Sequence, residues 1–151
     1  MMNKLLIVIV LVILAVPVWA DTGVVTVSSS VGFSDTLDRF KAVLKEKGAK
    51  VVFELDHQAN GMRVEESLNK THLLLFGNPK LGTPLMRSVR SIGIDLPMKV
   101  LIWEDDDGKV FLTYNDPQYL AARHSIEDNK AIFRKMSAVL KVLTTAAAQK
   151  P

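Results

Sequence analysis

An α+β fold is what this sequence predicts: one compact domain, with a mainly antiparallel sheet of four to five strands and two main helices packed on one face. Three observations carry that expectation. Val100–Trp103 and Val110–Tyr114 are β-rich apolar runs on either side of Glu104-Asp105-Asp106-Asp107-Gly108-Lys109. An Asp-Gly pair between such runs marks a hairpin, because glycine supplies the positive φ of a tight turn without strain. Apolar residues also recur at helical spacing twice, once early in the chain and once at its end. Between those two stretches the strand-like runs follow one another with only short helical excursions, a β-α-β(n)-α order.

The first twenty residues stand outside this domain. Met1–Lys4 carries one positive side chain, Leu5–Val16 is unbroken and apolar, and Pro17 and Val18-Trp19-Ala20 follow. That is the layout of a secretory signal peptide cleaved after Ala20, and it predicts an exported protein, periplasmic or secreted. A retained anchor is the alternative, but the run is shorter than the ~20 residues a span needs. The expected organisation is therefore signal peptide 1–20, domain 21–148 and a disordered tail 149–151, with no membrane span after cleavage.

Val24–Ser29 alternates and is β-branched, which predicts a first strand. Ser34 is the expected N-cap of a helix carrying Phe33, Leu37, Phe40 and Leu44 on one side, and Gly48 stands where a terminating glycine belongs. Val51–Leu55 and His72–Phe76 predict two further strands, the second nearly all apolar and hence central. Residues 58–70 give only a short helical turn near Gly61. Gly77-Asn78-Pro79 is a turn by composition, and Thr83-Pro84 predicts the start of a helix reaching Ser91. After the hairpin, Asp116-Pro117 pairs a capping carboxylate with proline at the first helical position, opening a short helix over Gln118–Arg123. Ser125 is the expected cap of the last helix, whose inward stripe is Ile132, Met136, Val139 and Leu143, joined by Phe133 and Leu140. Thr144–Pro151 is expected to fray.

Composition excludes several classes of function. The 151 residues carry a formal charge of +3, and loss of Lys4 with the signal segment lowers it to +2. That is a mixed surface rather than the basic stripe of a nucleic-acid binder. The cysteine count is 0, which removes thiol catalysis, disulfides and thiolate metal sites. No phosphate loop, nucleophile elbow or metal-binding histidine spacing occurs.

The polar residues that remain sit at predicted strand ends. Asp56 and His57 close the second strand, and His57 is a candidate general base or metal ligand with a carboxylate beside it. Neighbours on a strand point to opposite faces, so the two need not meet. Asn78, Tyr114 and Asn115 would line one pocket if their strand ends share an edge. Glu104 ends a strand and could point inward. His124 lies between the short and long helices. A metal centre would need His57, His124 and an acid such as Glu104 or Asp116 to converge, and no motif indicates a cofactor. His72, inside a strand, reads as a packing or edge residue. The run Glu104–Asp107 lacks the alternating acids of a calcium loop and reads as a solvated turn.

Asp56-His57, Phe76-Gly77-Asn78-Pro79, Leu96-Pro97, Trp103-Glu104-Asp105 with Gly108, and Tyr114-Asn115-Asp116-Pro117, in that order and spacing, resemble the DUF302 family. The resemblance runs from Thr22 to about Ala147. It implies a compact α+β domain with an antiparallel sheet, two main helices and a homodimer, and it supplies no catalytic residues. The functional expectation is a small-ligand or partner-binding module without catalysis. The expected ligand-binding set is Asp56, His57, Asn78, Glu104, Tyr114 and His124. The rival is an enzyme with His57 as general base, Glu104 or Asp116 as acid and Tyr114 or Asn78 as donor, all in one strand-end pocket.

Overall fold

The computed structural model describes residues 22–150, and the expected signal segment lies outside them. Strands β1 (Val24–Ser28), β2 (Lys50–Asp56), β3 (Thr71–Gly77), β4 (Met98–Glu104) and β5 (Val110–Asn115) form one sheet in the order β1-β5-β4-β3-β2. Every neighbouring pair is antiparallel. Five helices accompany it: α1 (Phe33–Glu46), α2 (His57–Met62), α3 (Pro79–Ser88), α4 (Pro117–Arg123) and α5 (Lys130–Ala148), with a 3-10 turn over Arg90–Ile94. This is the α+β single domain that the sequence predicts.

The β4–β5 hairpin at its centre is closed by Asp105. Its carboxylate Oδ1 accepts from the backbone N–H groups of Asp107 (3.0 Å) and Lys109 (2.8 Å), and Gly108 adopts φ +75°. The acidic run is thus turn chemistry. Strand register puts Leu74, Phe76, Met98, Val100, Ile102, Val110, Leu112 and Tyr114 on one face, where they are buried. Helices α1 and α5 lie side by side over that face and contribute Phe33, Phe40, Leu44, Phe133, Leu140 and Leu143. The opposite face carries Leu73, Leu101, Trp103 and Phe111, with the last two rings stacked at 4.8 Å.

Four local expectations are corrected. α1 is capped by Gly32, not Ser34: the Gly32 carbonyl accepts the first helical bond, from Thr36 at 2.9 Å. α3 begins five residues earlier than Pro84, because Asn78 caps it through the Lys80 N–H and Pro79 fills the first position. α5 starts after Asn129, in the left-handed region at φ 59°, rather than after Ser125. Thr144–Ala148 is held rather than frayed. Thr144, Ala147 and Ala148 are buried, the Ser30 N–H and hydroxyl donate to the Ala148 carbonyl at 2.8 Å each, and Arg39 donates to that of Gln149.

Candidate functional site

The antiparallel register separates the predicted polar residues to opposite ends of the sheet. Asp56 lies opposite His72 and Glu104 opposite Val110 at one end; Tyr114 lies opposite Val100 near the other, where β3 also delivers Asn78. The histidines His57 and His124 follow the same division, since His57 begins α2 beyond Asp56 and His124 is tied to Asp95, just ahead of β4. Among the described residues no group of three His, Cys, Asp or Glu side chains could hold a metal.

At the first end the partner of Asp56 is His72, not His57. His72 Nε2 lies 3.1 Å from Asp56 Oδ2 and its Nδ1 lies 3.2 Å from Glu54 Oε1, while Lys41 Nζ sits 2.7 Å from Glu54 Oε2. Phe33 covers the imidazole edge-on at 5.3 Å. Both ring nitrogens face acceptors, so the pairing is complete when the imidazolium donates from both. Burial pushes the Glu54 carboxyl up, but hydrogen bonds and charge from Lys41 and His72 outweigh it and hold the group below its ordinary value. The Asp56 carboxyl is also lowered, first by the Ala59 N–H it accepts and then by His72. Two depressed carboxylates stabilise the fold above their unfolded pKa values, and that contribution fades as pH falls through the folded ones, from about pH 4 downward. His72→Gln is expected to raise both carboxyl midpoints in a carbon-13 NMR titration and to move acid unfolding to higher pH; unmoved midpoints would dissolve the cluster. Glu104 lies nearby in register, 3.5 Å from Lys70 Nζ.

Tyr114 is buried under α5. Burial raises its phenol, the Asp116 charge adds to this, and the Thr144 hydroxyl partly offsets it. Asp116 is occupied as the cap of α4, accepting from the Gln118 N–H at 2.9 Å. His57 makes no side-chain hydrogen bond or ion pair among the described residues.

An apolar concave feature lies at the second end. A groove of about 370 Å³ opens between α3, α5, the end of α1 and the β3 and β4 termini. Its walls include Leu44, Phe76, Met86, Met98, Met136 and Leu143; the only polar side chains lining it are Asn78 and Thr83, and none is charged. Methionine thioethers give such a wall adaptable shape. The leading N–H groups of α3 are not free to bind an anion, since those of Lys80, Leu81 and Gly82 all donate to Asn78. Its capacity falls within the ~300–1,000 Å³ of small-molecule sites. Asn78 is therefore the one predicted binding residue that lines this groove. The apolar residues that form it come from positions 44 to 143 and carry no local signal.

The sequence model of the family described as "Domain of unknown function DUF302" matches residues 25–143. The chain belongs to the DUF302 family. A solved DUF302 protein, the uncharacterized conserved protein DUF302 from Bacillus stearothermophilus, superposes with a TM-score of 0.76 over 85% of this chain and 100% of that one, at 18% identity. That likeness is one of fold. Two proteins named Fluoride-specific ion channel FluC 1, from Brucella suis biovar 1 (strain 1330) and Brucella abortus biovar 1 (strain 9-941), are each 46% identical over 106 residues. The shared segment is 70% of this DUF302 chain but 42% and 39% of those proteins, so the chain spans about two fifths of the relatives it matches. Among the described residues no helix is long and apolar enough to cross a membrane.

Proposed function

We propose that this DUF302 chain is an exported module that binds a small uncharged, apolar molecule in the groove between α3 and α5, without chemistry at that site. The observation that supports it is the groove's composition: about 370 Å³ of space with a wall free of acids, bases and charges. Apolar contact is what such a wall offers a ligand, with Asn78 and Thr83 able to orient one polar group. The apolar dye N-phenyl-1-naphthylamine is expected to bind the chain cleaved after Ala20 with one-to-one saturation and a blue-shifted emission. Val52 (67% exposed) and Met86 (37% exposed) stand at the rim, so Val52→Asp with Met86→Asp adds carboxylates there without opening the core. That double variant should weaken the dye at least tenfold and leave unfolding within about 0.5 kcal/mol. Unsaturable binding, or equal affinity in the variant, would refute the reading.

The Brucella relatives favour a second element. Proteins named as fluoride channels carry a segment 46% identical to this chain within a longer polypeptide. We propose that this module works with a fluoride channel at the membrane. Deleting the chain from cells that make it should lower their tolerance of fluoride, restored by the intact chain; unchanged tolerance would remove the link.

A further inference from the structure

At the same end of the sheet, but outside the groove's lining, Asp95, His124 and Ser91 form a hydrogen-bonded chain. Asp95 follows the 3-10 turn that contains Ser91, and His124 ends α4. His124 Nε2 lies 2.6 Å from Asp95 Oδ2, and its Nδ1 lies 3.1 Å from the Ser91 hydroxyl. The imidazole and carboxylate are nearly enclosed, with 7% and 9% of their side-chain surface exposed, whereas Ser91 is exposed. Arg123 Nη1 approaches the other carboxylate oxygen at 3.4 Å, and Lys99 Nζ donates to the Asp95 carbonyl at 3.1 Å.

We propose that Ser91 is the nucleophile of a hydrolytic site for small carboxylic esters, with His124 as its general base and Asp95 as the residue that positions the imidazole. A carboxylate accepts hydrogen bonds only, so Asp95 fixes the proton of the neutral ring on Nε2 and leaves the Nδ1 lone pair for Ser91. The partners are reversed around the ring relative to serine proteases, where the carboxylate holds Nδ1; either nitrogen has an in-plane lone pair that can take a proton. Enclosure keeps water from competing for the Asp95–His124 bond, while the exposed hydroxyl meets a substrate arriving from solvent. In the first step the Ser91 oxygen bonds to the ester carbonyl carbon and its proton passes to Nδ1. The carbon–alkoxy bond then breaks, and the alcohol leaves with that proton. Water next attacks the acyl-serine and gives a proton to Nδ1. The carbon–Ser91 bond breaks, Ser91 is reprotonated, and the acid departs.

The test uses the chain cleaved after Ala20, a fluorophosphonate label and p-nitrophenyl acetate. One label per chain is expected, located on Ser91 by peptide mass spectrometry. Ser91→Ala, a surface change, should lower ester hydrolysis by at least about 100-fold, the scale of general-base assistance. Asp95→Asn should slow the reaction and shift its pH–rate profile; an unshifted profile would overturn the positioning role. A folded chain, verified by circular dichroism, that leaves Ser91 unlabelled would overturn the site. Hydrolysis undiminished in Ser91→Ala would do the same.

Discussion

Replacing Phe40 by alanine is expected to cost about 3–5 kcal/mol, the range for deleting a fully buried phenylalanine. Phe40 is 0% exposed and meets Phe76 of β3 edge-on, with ring centroids 5.5 Å apart, so it joins α1 to the sheet. The loss combines the transfer of the ring to water with a cavity that close-packed neighbours only partly fill. An edge-to-face pair adds about 0.5–1.5 kcal/mol beyond area burial. Against a total stability of about 5–15 kcal/mol, one such change can leave the domain marginal. Urea unfolding should show a lower midpoint with an unchanged slope, and Phe40→Leu should recover a large part of the loss. A cost under about 1 kcal/mol would mean that α1 contributes little at this joint.

Ending the chain at Thr144 is expected to destabilise it by about 3 kcal/mol, counting roughly 1 kcal/mol for each hydrogen bond lost and a further contribution from buried methyl groups. The truncation removes the buried Ala147 and Ala148, the Ala148 carbonyl that accepts from Ser30, and the Gln149 carbonyl that accepts from Arg39. A chain ending at Lys150 keeps all of these and should match the full domain. Equal unfolding midpoints for the two truncations would show that the last turns of α5 fray in solution.

Those last turns mark one boundary of what the sequence makes legible. The hairpin can be read because Asp105 and Gly108 build it from chemistry within five residues. The α1 and α5 stripes can be read because large apolar side chains repeat along one helix face. Thr144–Ala148 has no large side chain, and the hydrogen bonds that fasten its end come from Ser30 and Arg39, far back in the chain. Asn78-Pro79 and Thr83-Pro84 offer the same helix-start chemistry, and only the path of the chain beyond β3 decides for the first. The acid–base pairs show the limit most clearly. Asp56 adjoins His57 in sequence but pairs with His72, because β2 ends at Asp56, His57 already begins α2, and register sets His72 opposite Asp56. Ser91 and Asp95 are likewise joined to His124 only by tertiary packing, so no local motif announces them.

The strand order also sets a sequence of events for folding. Strands β2 to β5 pair with their neighbours in the chain, and the β4–β5 hairpin is the most local of these pairings. β1 has a single neighbour, β5, with Val24 opposite Asn115, so its docking closes a loop that takes in every element from α1 to β4. Large loop closures carry the greater entropic cost and slow the folding of sheets built on distant pairs. Until Asn115 has been synthesised, β1 has no strand to pair with.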